Sequence, residues 1–81
     1  MGYHKINIEK GVFGEASKIS EEYNEWLDAK NQDIAIMELV ELSDMIGAME
    51  GYIEKRFGMS IINLLKMSEA TKSAFKDGTR Q

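Results

Sequence analysis

Apolar residues recur every three or four positions in three stretches of the chain, which is the spacing of helices with a buried face. The first stretch covers residues 13–29, and its apolar positions are Ala16, Ile19, Tyr23, Trp26 and Leu27. The third covers residues 61–76 and has the same kind of stripe. In the second, residues 34–57, apolar positions spread over a wider arc, so we expect this helix to pack against more than one neighbour.

Residues between these stretches are typical of helix ends. Lys30-Asn31-Gln32-Asp33 predicts a turn with N-cap chemistry, Gly58 predicts a C-cap, and Ser60 predicts the next N-cap. Residues 1–12 have no clear period and fit either a short helix or an extended arm. The pattern therefore predicts one all-α domain over residues 1–81, built from a helical hairpin and a third helix.

Length and composition narrow the class of protein. The chain has 81 residues and no cysteine, which excludes a disulfide scaffold, a thiolate zinc site and a cysteine nucleophile. A domain this short is marginally stable alone, so we expect a homo-oligomer. No long apolar run or signal peptide is present, so we expect no membrane partner and a cytoplasmic location.

Charge is divided unevenly along the chain. Residues 15–54 contain eleven acidic and two basic side chains, whereas residues 55–81 contain six basic and two acidic ones. This division argues against a nucleic-acid partner, because such proteins present a basic face. It suits a site that holds a cation with one segment and phosphates with another, although ordinary solvated helix faces give the same pattern.

Two pairs of acidic residues are each spaced three apart: Glu22 with Glu25, and Glu41 with Asp44. Residues at that spacing share a helix face, and the pairs are equidistant from the turn. An antiparallel hairpin would bring the four carboxylates together as an oxygen-rich site that suits Mg²⁺ or Mn²⁺. Zinc is disfavoured by the absence of cysteine and of a second histidine. Chance pairs on exposed helices are the alternative.

The two pairs, Glu22-Tyr-Asn-Glu25 and Glu41-Leu-Ser-Asp44, are separated by fifteen residues. In this order they resemble the E-x-x-E and E-x-x-D motifs of the MazG-like all-α nucleoside triphosphate pyrophosphohydrolases. The residues around both motifs are also similar to that family, and the end of the chain resembles its compact, phage-encoded members. The resemblance covers roughly residues 13–80.

This resemblance implies a Mg²⁺-dependent enzyme that converts a nucleoside triphosphate substrate to the monophosphate and pyrophosphate. It also implies a dimer or tetramer whose helices form four-helix bundles. The metal ligands and catalytic residues would be Glu22, Glu25, Glu41 and Asp44, and Glu25 is our choice to position or deprotonate the attacking water. Basic residues near the end of the chain would contact the outer phosphates. Lys66 is the best candidate, followed by Lys72 and Arg80, and a solvated basic face is the alternative for each.

Four other features bear on the site and on its packing. Trp26 could stack on a nucleobase, or it could belong to the core or to an interface. Gly47 and Gly51 suggest close packing inside the second helix, and we expect His4 to be a surface residue in a loose arm. Many members of the MazG-like family have an asparagine in the last helix, where this chain has Ala70 and Thr71. This difference from the family concerns recognition of the base more than binding of the metal.

A second function, from another class, fits the same pattern. The chain could be a non-catalytic helical oligomerisation module, or a regulatory module that binds nucleotide without cleaving it. Both functions predict the same bundle, and they differ in whether the four carboxylates support turnover.

Overall fold

The computed structural model describes residues 4–78 of the protein and contains three α-helices in that range. They are α1 (Ala16–Asn31), α2 (Ala35–Phe57) and α3 (Ile61–Asp77), and the described range contains no β-strand. The predicted all-α class is confirmed, and the helix bounds lie close to the predicted ones. The largest difference is at α1, which starts three residues later than predicted.

Gly14 explains the late start of α1. Its φ angle is +91°, which lies in the left-handed region and interrupts a right-handed helix. Glu15 then serves as the extended N-cap residue. Residues 4–15, here named the arm, form neither helix nor strand. The short helix that was one interpretation of residues 1–12 does not form within their described part, residues 4–12.

Short turns with defined caps connect the helices. Gly58 closes α2 in the left-handed conformation, and its N–H donates to the carbonyl of Glu54 at 3.0 Å, as predicted for a glycine C-cap. At the start of α3, the side chain of Asn63 accepts a hydrogen bond from the backbone N–H of Ser60 at 3.3 Å. The N-cap of α2 is Ile34 without a side-chain bond, so the N-cap chemistry predicted within residues 30–33 is wrong.

α1 and α2 pack against each other as an antiparallel pair, and the arm returns along them. The ring of Phe13 lies on Gly51, where a Cβ atom would approach the ring to 2.5 Å. The expected packing role therefore holds for Gly51, whereas a Cβ on Gly47 would meet nothing within 4 Å.

The interior of this pair contains more acidic than apolar side chains. Among the described residues the buried apolar ones are Ala29, Ala48 and Ile53. The buried polar or charged ones are Glu21, Glu22, Asp28 and Glu41. Carboxylates are almost never fully buried unless they are paired, so this interior requires compensating positive charge.

α3 contributes little to the interior, because none of its residues is buried. It meets α2 around a small apolar cavity of about 200 Å³, which Leu64 and Met67 line together with Ile53. The radius of gyration is 14.3 Å, larger than the value of about 12 Å for a compact chain of this length. The apolar side of α3 is therefore left largely open.

No helix within residues 4–78 combines the length and the apolar character needed to cross a membrane.

Candidate metal centre

The inward face of α2 presents two of the predicted carboxylates to α1. The side chain of Glu41 is completely buried, and Asp44 follows it by one helical turn. Each of these residues offers an oxygen to a group that also includes Glu22 of α1, and the three oxygens lie within 4.8 Å of one another. Because α1 and α2 are antiparallel, residues equally distant from their turn meet, and the two pairs converge.

Glu25 belongs to two neighbouring groups of the same cluster. One of its oxygens lies within 4.8 Å of ligand atoms of His4 and Glu41, and a second group joins it to Glu21 and Glu22. The four predicted carboxylates therefore share one contiguous acidic cluster between α1 and α2, and Asp44 lies at its exposed edge. Their roles as metal ligands and catalytic residues stay predictions.

His4 lies in this cluster, so the prediction of a surface residue in a loose arm is wrong. Its side chain is only 7% exposed, and its Nδ1 atom lies 2.8 Å from Oδ2 of Asp28. Its Nε2 atom lies 3.4 Å from Glu25 Oε1 and 3.3 Å from Glu41 Oε2. The imidazole therefore bridges α1 and α2.

Asp28 is the residue that holds the start of the arm. Besides His4, its Oδ2 atom accepts hydrogen bonds from the backbone N–H of Lys5 and from Nε2 of Gln32, both at 3.0 Å. Burial alone would raise the pKa of Asp28, but the hydrogen bonds from His4, Lys5 and Gln32 outweigh it and lower the pKa. The ionised form of Asp28 therefore fixes the arm to α1.

Lys18 and the arm supply positive charge to the other end of the cluster. Nζ of Lys18 lies 3.0 Å from Glu21 Oε1 and 3.2 Å from Glu22 Oε2. Glu21 also accepts a hydrogen bond from the backbone N–H of Gly11 at 2.9 Å. The second oxygen of Glu22, Oε1, is buried and has no hydrogen-bond partner among the described residues.

The carboxyl groups of the cluster respond differently to burial. Burial raises the pKa of Glu41, and the neighbouring Asp44 raises it further. Burial and the adjacent Glu21 likewise raise the pKa of Glu25. Burial also acts to raise the pKa of Glu21, but the Gly11 and Lys18 hydrogen bonds dominate and lower this pKa to about 2. At Glu25 and Glu41, burial and the neighbouring carboxyl groups thus outweigh the groups that lower the pKa.

An open groove with a volume of about 540 Å³ lies beside this cluster. Glu22 and Asp44 line it, together with Lys18, and its floor includes Gly47 and Ala48. This volume falls within the range of about 300–1,000 Å³ that is typical of small-molecule sites. The cluster is thus accessible from a space large enough for a nucleotide-sized ligand.

Among the described residues, the predicted phosphate- and base-contacting ones do not line this groove. Lys66 and Lys72 are exposed on α3 and do not line the groove, and Lys72 Nζ lies 3.6 Å from Glu69 Oε2. Trp26 is half-buried, does not line the groove, and has its ring centroid 5.8 Å from that of Tyr23. Arg80 lies outside the described residues.

Sequence reasoning missed His4, Lys18, Glu21 and Asp28 as members of the site. The spacing of Lys18 three and four residues before Glu21 and Glu22 is a readable signal for ion pairs on one helix face. No comparable sequence pattern predicts the contacts of His4 with α1 and α2, because apolar residues of the arm have no regular spacing.

Comparison of the chain with protein-family models, curated proteins and solved structures found no match.

Proposed function

We propose that this protein is a divalent-metal-dependent hydrolase that converts a (deoxy)nucleoside triphosphate to the monophosphate and pyrophosphate. The observation that carries the proposal is the convergence of Glu22, Glu41 and Asp44 from two helices beside a groove of about 540 Å³. The pairing of these residues with Glu25 in the order of the MazG-like motifs supports the same reaction.

The residues of the cluster fit Mg²⁺, or Mn²⁺ as its substitute. Carboxylate oxygens are the ligands that both ions favour, and Glu22 Oε1 is a buried acceptor without a hydrogen-bond partner among the described residues. Glu22, Glu25, Glu41 and Asp44 would hold the metal. When bound, the ion would neutralise charge on the phosphates and lower the pKa of a water molecule.

Glu25 is our candidate to orient the attacking water and accept its proton. Its pKa is raised, mainly by burial, so it is a stronger base than an exposed glutamate. In the proposed reaction the water oxygen bonds to the α-phosphorus and the bond from that phosphorus to the bridging oxygen breaks. Pyrophosphate leaves with the electron pair, and the proton of the water passes to the carboxylate.

Lys18 is the described basic residue that lines the groove, and it would face the phosphates there. We propose that Lys66, Lys72 and Arg80 contact the outer phosphates only in a homo-oligomer, where α3 of one copy approaches the groove of another. The open apolar sides of α2 and α3 support such an assembly, and a four-helix bundle of paired hairpins would cover them.

The test is release of pyrophosphate from a broad panel of ribo- and deoxyribonucleoside triphosphates with Mg²⁺. We expect turnover of at least one substrate and a loss of at least about 100-fold in Glu41→Gln and in Asp44→Asn, because each removes charge from the metal site. Glu38→Gln is the matched control, because it makes the same change one turn earlier on α2 and should keep full activity. A wild-type protein that is folded, binds the metal and releases no pyrophosphate from any substrate would contradict the proposal.

One observation favours the second candidate, a non-catalytic oligomerisation or nucleotide-binding module. His4 and Lys18 already contact four of the cluster carboxylates, so the cluster has partial compensation from the protein itself. This module predicts self-association, and in one form nucleotide binding, with no product from the panel. Equilibrium binding of a non-hydrolysable triphosphate, measured beside turnover, separates the two candidates.

A further inference from the structure

We propose that His4, Glu25 and Glu41 form a second cation position beside the Glu22–Glu41–Asp44 position, and that it binds a divalent transition ion such as Mn²⁺ through Nε2 of His4. This proposal deepens the proposed function, because it rests on the acidic cluster being a metal centre and adds a nitrogen ligand from the arm.

The Nε2 atom of His4 and one carboxylate oxygen each of Glu25 and Glu41 lie close enough together to bind one ion. Nε2 lies 3.3–3.4 Å from one oxygen each of Glu25 and Glu41, and these three atoms belong to one group within 4.8 Å. The group is enclosed, because the exposed fractions of the three side chains are 7%, 12% and 0%. Three ligand atoms thus meet inside the protein from the arm, α1 and α2.

Asp28 holds the imidazole in the orientation that a metal ligand needs. Nδ1 of His4 lies 2.8 Å from Oδ2 of Asp28, and the tautomer that donates its Nδ1–H to this carboxylate carries the coordinating lone pair on Nε2. Metal-binding histidines commonly donate their other ring N–H to a carboxylate, which fixes the tautomer and increases the basicity of the ligand. Asp28 lies outside the group of three and so supplies an independent indication.

A second indication comes from the adjoining position. Glu22 is 5% exposed, and its Oε1 atom is buried without a hydrogen-bond partner among the described residues, beside Glu41 and Asp44. Glu41 belongs to both groups and is completely buried. A buried, unpartnered carboxylate oxygen is costly, and a cation within the cluster would satisfy it.

The ligand set distinguishes between divalent ions. Mg²⁺ prefers oxygen ligands and keeps several of its waters, whereas imidazole binds transition ions well. We therefore expect the Glu22–Glu41–Asp44 position to accept Mg²⁺ or Mn²⁺, and the position with His4 to favour Mn²⁺. The arm would then be a part of the metal centre.

The test is pulsed electron paramagnetic resonance of the full chain, without an affinity tag, loaded with Mn²⁺. Because His4 is the one histidine of the chain, coupling between Mn²⁺ and an imidazole nitrogen identifies it. We expect this coupling in the wild type, and we expect its frequency to change when the histidine is labelled with ¹⁵N. The labelled wild type needs no substitution, so the result does not depend on whether a variant folds.

His4→Asn is the matched variant, because its amide can still donate to Asp28 while Nε2 is removed. We expect its Kd for Mn²⁺ to rise by about tenfold or more and its Kd for Mg²⁺ to change by less than about threefold. Thermal unfolding of the variant checks that it is folded.

Bound Mn²⁺ without imidazole coupling would overturn the proposal, because it would show that His4 is not a ligand of the ion. Absence of Mn²⁺ binding would overturn it as well. Failure of the proposed function has a different signature, in which Mn²⁺ and the imidazole coupling are present but no triphosphate is hydrolysed.

Discussion

The two faces of α2 differ in the opposite sense to an ordinary surface helix. Its inward face carries Glu41, which is completely buried, beside the buried Ala48, and the exposed Asp44 at the edge of that face meets Glu22 of α1. Its outward face carries Leu39, Leu42 and Ile46, which are 64%, 43% and 49% exposed. These three residues lie on one stripe, because their spacings of three and four match the helical repeat.

This comparison teaches that each face of α2 points to a different kind of partner. A buried carboxylate costs free energy unless a cation compensates it, and an exposed apolar stripe usually marks a contact surface. The inward face therefore points to metal binding and the outward face to self-association. Metal binding and self-association can be tested separately, because a substitution on one face of α2 leaves the side chains of the other face unchanged.

The largest expected effect is on the outward face. In Leu42→Asp, a charge replaces an apolar side chain that a second copy would cover, and a symmetric interface contains the substitution twice. Each loss removes on the order of 1.5–3 kcal/mol of apolar burial, so we expect self-association to weaken by about 100-fold or more. Sedimentation equilibrium over a range of protein concentrations measures it.

Asn24→Asp is the control for this experiment, because it places the same charge on the exposed polar stripe of α1 that Ser20 and Asn31 share. Its association should match that of the wild type. Equal association of the Leu42→Asp variant and the wild type would contradict a role of the outward face in assembly.

An intermediate effect is expected from Glu21 at the inward side. Its folded-state pKa of about 2 lies below the ordinary value of 4.5, so ionised Glu21 stabilises the fold above pH 4.5. This contribution is lost as the pH falls from about 4.5 to about 2. We expect Glu21→Gln to cost on the order of 2 kcal/mol at pH 7 and much less near pH 2.

Urea unfolding of both proteins at several pH values measures this difference. Glu54→Gln, at an exposed position of α2, should be nearly neutral throughout. A difference between Glu21→Gln and the wild type that stays constant from pH 7 to pH 2 would show that charge at Glu21 does not stabilise the fold.

The smallest effect compares the two glycines within α2. Alanine at Gly47 meets nothing within 4 Å and favours the helix, so Gly47→Ala should raise the free energy of unfolding by about 0.5–1 kcal/mol. At Gly51 the new Cβ would lie 2.5 Å from the ring of Phe13, which must shift, so Gly51→Ala should gain less. Chemical unfolding at pH 7 measures both, and an equal gain would show that the Phe13 contact is not a constraint.

Much of the fold could be predicted because its determinants are local. The helical period, Gly58 and the bond between Ser60 and Asn63 act within a few residues, and they define where α2 ends and α3 begins. The convergence of Glu22 with Glu41 and Asp44 needed one further assumption, the antiparallel packing of two helices across a short turn. The start of α1 was predicted three residues too early, because the spacing of apolar residues does not reveal the left-handed conformation of Gly14.

The remaining contacts could not be predicted because they join residues distant in the sequence. His4 is 24 residues from Asp28 and further from Glu41, and the arm that brings them together has no regular secondary structure. The open side of α3 was equally hidden, since a helical period shows that a face is apolar and not which neighbour covers it.

The three-residue connection between α1 and α2, Gln32 to Ile34, has a consequence for the order of folding. Closing so short a loop costs little chain entropy, so the hairpin can form early and fast, before any encounter between chains. Repulsion between Glu22 and Asp44 would then act in the folding transition state. We therefore expect the refolding rate of dilute, single chains to increase with the concentration of divalent cations.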